Sequence, residues 1–386
     1  MTQSRKPTTG PLRGIRILDL TRLLPGPLAT MLMADMGAEV IKIEDPNAPD
    51  YVRAFPPYQN GESLSYLSLN RSKRSILLDY RTDEGRATFF DLVKTADVVM
   101  EQFRPGYLAK LGLGYEAACV HNPKIIYVSV TGYGQTGPYA HLAGHDINYV
   151  GLSGVLGMTG DTDGPPVQAG VQLADIAGGS YMAVIGTLAA LTARQQQDVG
   201  QHVDVSMTDG AMPLLQAVFA MHAGQMAEAV RGVAPLSGGL PNYGVYPCQD
   251  GRYVALGTLE PKFWTKFCGL LERPDWAGFM APQSPARRDE YKRQITTLFV
   301  TRPQADWVAF GIEHDLLISP ILDLADLEHD PHLAARQMIL TETHPIAGDY
   351  QTIGVPIKFS ATPAQPSWFA PTLGEDTEAI LGEFAD

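Results

Sequence analysis

The first forty residues constrain the fold more than any other part of the chain. Gly14-Ile15-Arg16-Ile17-Leu18-Asp19-Leu20 is a short apolar run that reads as a buried strand. The turn Leu24-Pro25-Gly26-Pro27 follows it. Leu28 to Met36 has helical character and stops at Gly37, and Ala38 to Ile43 is a second strand. Strand, helix and strand in close succession form a βαβ unit, which requires a parallel pair and a right-handed crossover. Asp97 to Met100 and Lys124 to Val130 read as further strands, and Val203-Asp204-Val205 closes a second βαβ-like region. The chain is therefore expected to be α/β with a Rossmann-like large domain. Its first turn lacks the G-x-G-x-x-G pattern, so a nicotinamide or flavin site is not indicated.

A length of 386 residues suits one large or two ordinary domains. The Gly/Pro-rich stretch 232–245 reads as a linker. We expect a large domain over residues 1–225, completed by about 335–386, and a linker with a small α/β domain over 226–334. Within the small domain Tyr253 to Leu256 is a strand; the tail from about 340 is Pro-rich and extended, with a short last helix near Glu378 to Glu383. Three cysteines without C-x-x-C spacing fit thiols in a reducing cytoplasm. The start, MTQSRKPTTG, lacks an apolar run, so no secretory signal is expected. No run of about 18 apolar residues predicts a membrane span. The apolar stretch from Ile176 to Leu191 reads as a buried helix.

The net charge of −13 argues against nucleic acid as a partner. Residues 71–110 depart from it, with eight cations (Arg71, Lys73, Arg74, Arg81, Arg86, Lys94, Arg104, Lys110) against six acids. Such a segment suits either a solvated helix face or a small polyanion.

Three residues carry candidate chemistry. His145 lies in Gly144-His145-Asp146-Ile147-Asn148-Tyr149. Taken alone it fits a satisfied structural histidine as well as a base, and a metal site would need more ligands at suitable spacing. Asp175 opens the apolar helix and reads as its N-cap, or as a carboxylate whose pKa is raised by apolar surroundings. The amides of that helix start would then face a developing oxyanion, and Gly178-Gly179 would admit a substrate or another backbone. Glu260 follows the strand at 253–256 and precedes Pro261. It is a loop acid or a partner that sets the basicity of His145. Met158, Met182 and Met207 are candidates for an adaptable apolar wall, or plain core.

These residues, together with Gly37-Ala38-Glu39-Val40-Ile41-Lys42-Ile43-Glu44, Leu69-Asn70-Arg71-Ser72-Lys73-Arg74-Ser75, Phe103-Arg104-Pro105-Gly106 and Thr131-Gly132-Tyr133-Gly134-Gln135-Thr136-Gly137-Pro138, resemble the class III CoA-transferase superfamily (CaiB/BaiF type). The resemblance runs from Leu12 to about Phe384. The segments 144–149, 238–243 and 257–264 are most similar to its α-methylacyl-CoA racemase branch. That resemblance implies His145 and Asp175 as an acid/base pair with Glu260 as their partner. It implies coenzyme A as part of the substrate, held by Arg71, Arg74, Arg81, Arg104 and Lys110, with Leu78, Asp79 and Phe103 near the adenine. No separate cofactor or metal is implied. It further implies an interlocked homodimer in which Glu260 comes from the partner chain. In the transferase branch the same Asp175 is a nucleophile that forms acyl anhydrides. The longer segment Tyr51 to Ser68 looks more like that branch, whereas Leu24 stands where oxalate-type transferases carry Gln.

Overall fold

The structure, a computed structural model, describes residue 7 and residues 9–280 and 284–383. The chain forms two compact units. The first runs from the N-terminus to Ser153, continues over Gly170–Pro213 and resumes at His329; the second comprises Gly154–Ala169 and Leu214–Glu328. The second unit thus begins at Leu214 and also takes residues 154–169, whereas the sequence places the change near residue 226.

The first unit is built on a six-stranded sheet whose strands all pair in parallel. In chain order they are β1 (Arg16–Asp19), β2 (Glu39–Glu44), β3 (Lys73–Leu77), β4 (Val98–Glu101), β5 (Ile126–Thr131) and β6 (Gln201–Ser206). Their spatial order is β3-β2-β1-β4-β5-β6, the doubly wound order that reverses between β1 and β4. Strands β1, β2, β4 and β5 are buried almost throughout, as expected of a parallel sheet covered on both faces. The expected α/β class and Rossmann-like sheet are therefore present.

Strand β3 was not anticipated, because its sequence Lys-Arg-Ser-Ile-Leu begins with two cations. Both are inside. Lys73 Nζ donates to Asp19 Oδ2 at 3.1 Å, to the Pro27 carbonyl at 3.0 Å and to Asn70 Oδ1 at 2.9 Å. Asp19 also accepts from the Thr30 hydroxyl at 2.6 Å and from the Thr21 amide at 2.9 Å. Beside them Lys42 Nζ donates to the Thr21 carbonyl and to Asp50 Oδ2. Both lysines are fully buried. Burial pulls Lys73 down to about 8 against the attraction of Asp19. Burial pushes Asp19 up, but Lys73, Lys42 and the two threonine hydroxyls outweigh it and hold the carboxyl low.

The open edge of β3 is covered by the C-terminal segment. Trp368 Nε1 donates to the Lys73 carbonyl, the Asp376 amide to the Ser75 carbonyl, and the Leu77 amide to Thr377 Oγ1. This protects a sheet edge from unwanted pairing.

The helix Pro25–Asp35 after β1 is almost wholly buried. A Cβ on Gly26 would lie 2.3 Å from Thr21 Cβ, so only glycine allows this sharp turn. Where a buried helix is expected after residue 175 there is a continuous 24-residue helix, Ala174–Gln197, but most of it is not buried: Tyr181 and Ile185 are exposed, and burial is confined to the small residues facing the sheet. Its first eight residues, Ala174–Tyr181, are π-helical. It is long and apolar enough to cross a membrane by length and composition, and here it packs on β5 and β6 as their crossover. Gly178 meets the Met207 carbonyl, which a Cβ would approach to 2.2 Å. The close approach is therefore made by another backbone.

The second unit has a three-stranded antiparallel sheet in the order Ile318–Pro320, Tyr253–Gly257, Tyr243–Pro247. Helices Pro261–Leu270, Pro285–Phe299 and Gln304–Glu313 accompany it. Its core stacks Trp264, Phe267, Trp276, Phe299 and Trp307.

Asp19→Ala is expected to leave Lys73 buried without its counter-ion. Urea unfolding of the variant would then show a loss of about 3–5 kcal/mol. An unchanged midpoint would show that the network does not anchor the sheet.

Candidate active site

In a doubly wound sheet, ligands bind beyond the carboxyl ends of the strands where strand order reverses. A cavity of about 560 Å³ lies there. Its wall takes Leu23 and Pro25 from after β1, Gln102 to Pro105 from after β4, Val130 to Gly132 from the end of β5, and Met207 from after β6. His145, Asn148, Tyr149 and Asp175 complete it.

The turn after β1 cannot hold a pyrophosphate as dinucleotide folds do. Pro25 and Pro27 have no N–H to offer, and the Gly26 amide donates to Gln102 Oε1 at 3.0 Å. This occupied helix start explains in physical terms why the Rossmann sheet lacks its usual cofactor site.

His145 is exposed and caps the helix Asp146–Leu152, donating its amide to Asn148 Oδ1 at 3.0 Å. Tyr149 donates its hydroxyl to the Gly144 carbonyl at 2.5 Å. Its ring fills the space that a Cβ on Gly132 would need, 2.3 Å away. Glycine at 132 thus seats Tyr149 against the end of β5. Burial first, and the nearby Asp175 second, push Tyr149 up to about 12.

Asp175 is half-buried in the first turn of the π-helical segment. Leu173, not Asp175, is the N-cap. Burial raises the Asp175 carboxyl to about 6, the neighbouring Asp146 adds to that rise, and His145 opposes it. Asp146 Oδ1 accepts the amides of Ala174 and Asp175 at 2.7 and 3.0 Å. These are the amides that the sequence assigned to an oxyanion. They are already engaged, which leaves side-chain donors on the wall, Arg104, Asn148 and Thr131 among them. Asp146 itself was missed as a candidate, although its place beside His145 was a usable signal.

The basic segment divides sharply. Phe103 and Arg104 line the cavity. Arg71 does not: it is buried and grips Asp35 with Nε and Nη2, while Nη1 donates to the Ile353 carbonyl at 2.7 Å. Arg74 is likewise spent on Glu39 and Glu383. Leu78 belongs to the hydrophobic core. Asp79 and Arg81 pair with each other, and Arg81 also bridges to Asp45. Lys110 is exposed at the end of the short helix Tyr107–Lys110. Arg22, which the sequence reading passed over, sits 4.9 Å above the Phe103 ring. Among the described residues neither Arg22 nor Arg104 has a carboxylate in a salt bridge, so their charges are available to an anion. The expectation that Arg71 and Arg74 hold coenzyme A is corrected by the carboxylates that already occupy them.

Glu260 lies in the second unit, exposed, as the N-cap of helix Pro261–Leu270. Of the three methionines, Met207 lines the cavity. Met158 ends a short turn of the second unit, and Met182 packs under Gly210.

A chain with this sheet, with a carboxylate and an imidazole at its switch point, belongs to CoA-transferase family III, whose model matches residues 12–377. It is 34% identical to the human alpha-methylacyl-CoA racemase, over 97% of this chain and 93% of that one. It is 37% identical to the succinate–glutarate CoA-transferase of Agrobacterium fabrum, over 98% and 96%. Among solved structures, a CAIB/BAIF family protein from Brucella suis superposes with a TM-score of 0.83 at 32% identity, covering 97% of this chain and all of that one.

Arg104→Ala is expected to raise the KM for a CoA thioester about tenfold with a smaller change in kcat, whereas Arg71→Ala lowers the unfolding midpoint and leaves KM near its original value. Any reaction that needs the Asp175 carboxylate ionised is expected to fall as pH drops through about 6. Asp146→Asn keeps the oxygen that accepts the two amides and removes the repelling charge. It should move that acid limb to lower pH, as a kcat/KM profile would show.

Proposed function

We propose that this protein epimerises 2-methylacyl-CoA thioesters by removing and returning the α-proton. The observation that carries this reading is that His145 and Asp175 face the same cavity. One base takes the proton from one face of the α-carbon. The electron pair moves into the thioester to give a planar enolate, and the conjugate acid of the other group returns a proton on the opposite face. The thioester itself acidifies the α-carbon, so no metal or redox group is needed for this step. Asp175, raised to about 6, is ionised at neutral pH yet basic enough for the task. Arg104 and Asn148 are placed to offset enolate charge. The apolar wall of Leu23, Val130, Ala140, Leu142 and Met207 suits a branched acyl chain. On this reading the protein is a homodimer, with Glu260 of one chain meeting the site of the other.

A second reading has support in the similarity to the succinate–glutarate CoA-transferase of Agrobacterium fabrum. In it Asp175 attacks the thioester carbonyl, forms an acyl anhydride and releases the CoA thiolate. His145 then only orients the substrate. Leu24, in place of a glutamine, argues against the oxalate type.

The deciding experiment incubates one stereoisomer of a 2-methylacyl-CoA in heavy water without added carboxylate. Deuterium at the α-carbon with appearance of the other epimer is the expected result. His145→Ala and Asp175→Ala should each lower that exchange by about 10²–10⁴. Absence of exchange while the thioester binds, with CoA released onto added succinate or glutarate, would establish transfer instead.

A further inference from the structure

Two carboxamides on the cavity wall are held in the same sense. Gln102 follows the end of β4 and lines the cavity. Its Oε1 accepts the Gly26 amide at 3.0 Å. Asn148, in the helix Asp146–Leu152, lines the cavity as well, and its Oδ1 accepts the His145 amide at 3.0 Å. A backbone N–H can only donate, so each partner fixes which end of the carboxamide is oxygen. The NH2 groups are the ends left over. Among the described residues neither side-chain nitrogen makes a hydrogen bond within the chain.

We infer that Gln102, together with Asn148, donates to the thioester oxygen of a substrate in this cavity, which makes Gln102 a catalytic residue beside His145 and Asp175. The inference rests on the cavity being a CoA-thioester site, not on which reaction follows. If a base removes the α-proton, the electron pair of the broken C–H bond is delocalised onto that oxygen as an enolate. If a carboxylate attacks the carbonyl, the π pair moves onto the same oxygen as a tetrahedral oxyanion. In both cases negative charge develops at one atom. Donors already fixed in place stabilise it without reorganising at the moment of reaction.

The surroundings of Gln102 supply that fixity. The Phe103 amide donates to Glu101 Oε2 at 2.7 Å, and the Tyr107 amide donates to the Arg104 carbonyl at 3.0 Å, so the loop that carries Gln102 is tied on its far side too. Gly26 stands in the first turn of the eleven-residue helix Pro25–Asp35. Its N–H lies at the positive end of that helix's dipole, which polarises the Gln102 carboxamide and strengthens its NH2 as a donor. The other amides near the site are less useful. Pro25 and Pro27 have none, and those of Ala174 and Asp175 are spent on Asp146. Arg104 lines the cavity on an exposed, rotatable side chain. Gln102 therefore passes the donor of a helix start on to the cavity, where the backbone itself cannot reach.

The test uses the full-length protein and a 2-methylacyl-CoA carrying ¹³C at the thioester carbonyl. The infrared band of the bound carbonyl is compared in the natural protein, in Gln102→Glu, which keeps an oxygen for the Gly26 amide, and in Gln102→Met, which keeps the length without the charge. The band should lie at lower frequency in the natural protein than in either variant. Asn148→Asp, which keeps an oxygen for the His145 amide, should move it in the same direction. Turnover, followed as α-deuterium exchange or as CoA transfer to succinate, should fall about 10²–10³ in both Gln102 variants with little change in KM. An S-alkyl-CoA thioether, which has no carbonyl, should bind all four proteins alike by calorimetry. A band that does not move in the Gln102 variants, or moves in Asn148→Asp alone, would overturn the inference, and so would unchanged turnover. Loss of thioether binding in the Gln102 variants with the band unmoved would make Gln102 a support of the wall and no donor. Failure of both thioester and thioether to bind the natural protein would remove the thioester reading itself, and the inference with it.

Discussion

The carboxylate of Asp19 is the point from which the first unit is built. It ends β1 in complete burial, where an ion without partners would be prohibitively costly. Lys73 from β3, Thr30 from the first helix and Thr21 from the turn all converge on it. Lys42 from β2 ties the same turn to Asp50, and Asp50 accepts the Leu23 amide at 3.1 Å. The end of β1, the middle of β2, the start of β3, the turn and the first helix are thereby locked to one another. Leu23 and Pro25, which form one wall of the cavity, have their places set by this network rather than by contacts with a ligand. The same lock consumes the groups that a glycine-rich turn would offer to phosphate.

This network also explains where sequence and structure part. Strands β1, β2, β4 and β5 could be read because a parallel sheet buried on both faces needs continuous apolar runs. Strand β3 could not, because Lys73 and Arg74 suggest a solvated or ligand-binding segment until their carboxylate partners are known. Those partners, Asp19, Glu39 and Glu383, are 54, 35 and 309 residues away along the chain. No local pattern reveals such pairings. Charge excess over residues 71–110 was therefore a poor guide to the anion site, and it distinguished neither Arg104 from Arg71 nor the unnoticed Arg22 from either.

At the site the residue types were legible and their local geometry was not. His145 and Asp175 could be singled out from their Gly-rich, apolar settings, and they do share a cavity. The start of the following helix misled, because an aspartate before an apolar run usually signals an N-cap. Here the first turns are π-helical, a form found frequently at functional sites. Asp175 sits inside that segment, and Asp146 takes the amides that a simple cap would have left open. The wider turn aims a carboxylate at the cavity while a second carboxylate fixes the backbone that bears it.

The pairing of Asp146 with Asp175 bears on the chemistry itself. A carboxylate that must remove an α-proton gains from a raised pKa, since basicity rises with it. A carboxylate that must attack a carbonyl and then leave from an anhydride gains less, because a better base is also a poorer leaving group. Asp146 sits close enough to raise Asp175, and its own charge is offset by two backbone amides rather than by a cation. That arrangement spends hydrogen bonds on keeping a second negative charge beside the first. Such an expense is physically sensible where proton affinity is the property being tuned. This is the local feature on which the proposed proton-transfer reading draws, beside the resemblance to relatives of both kinds.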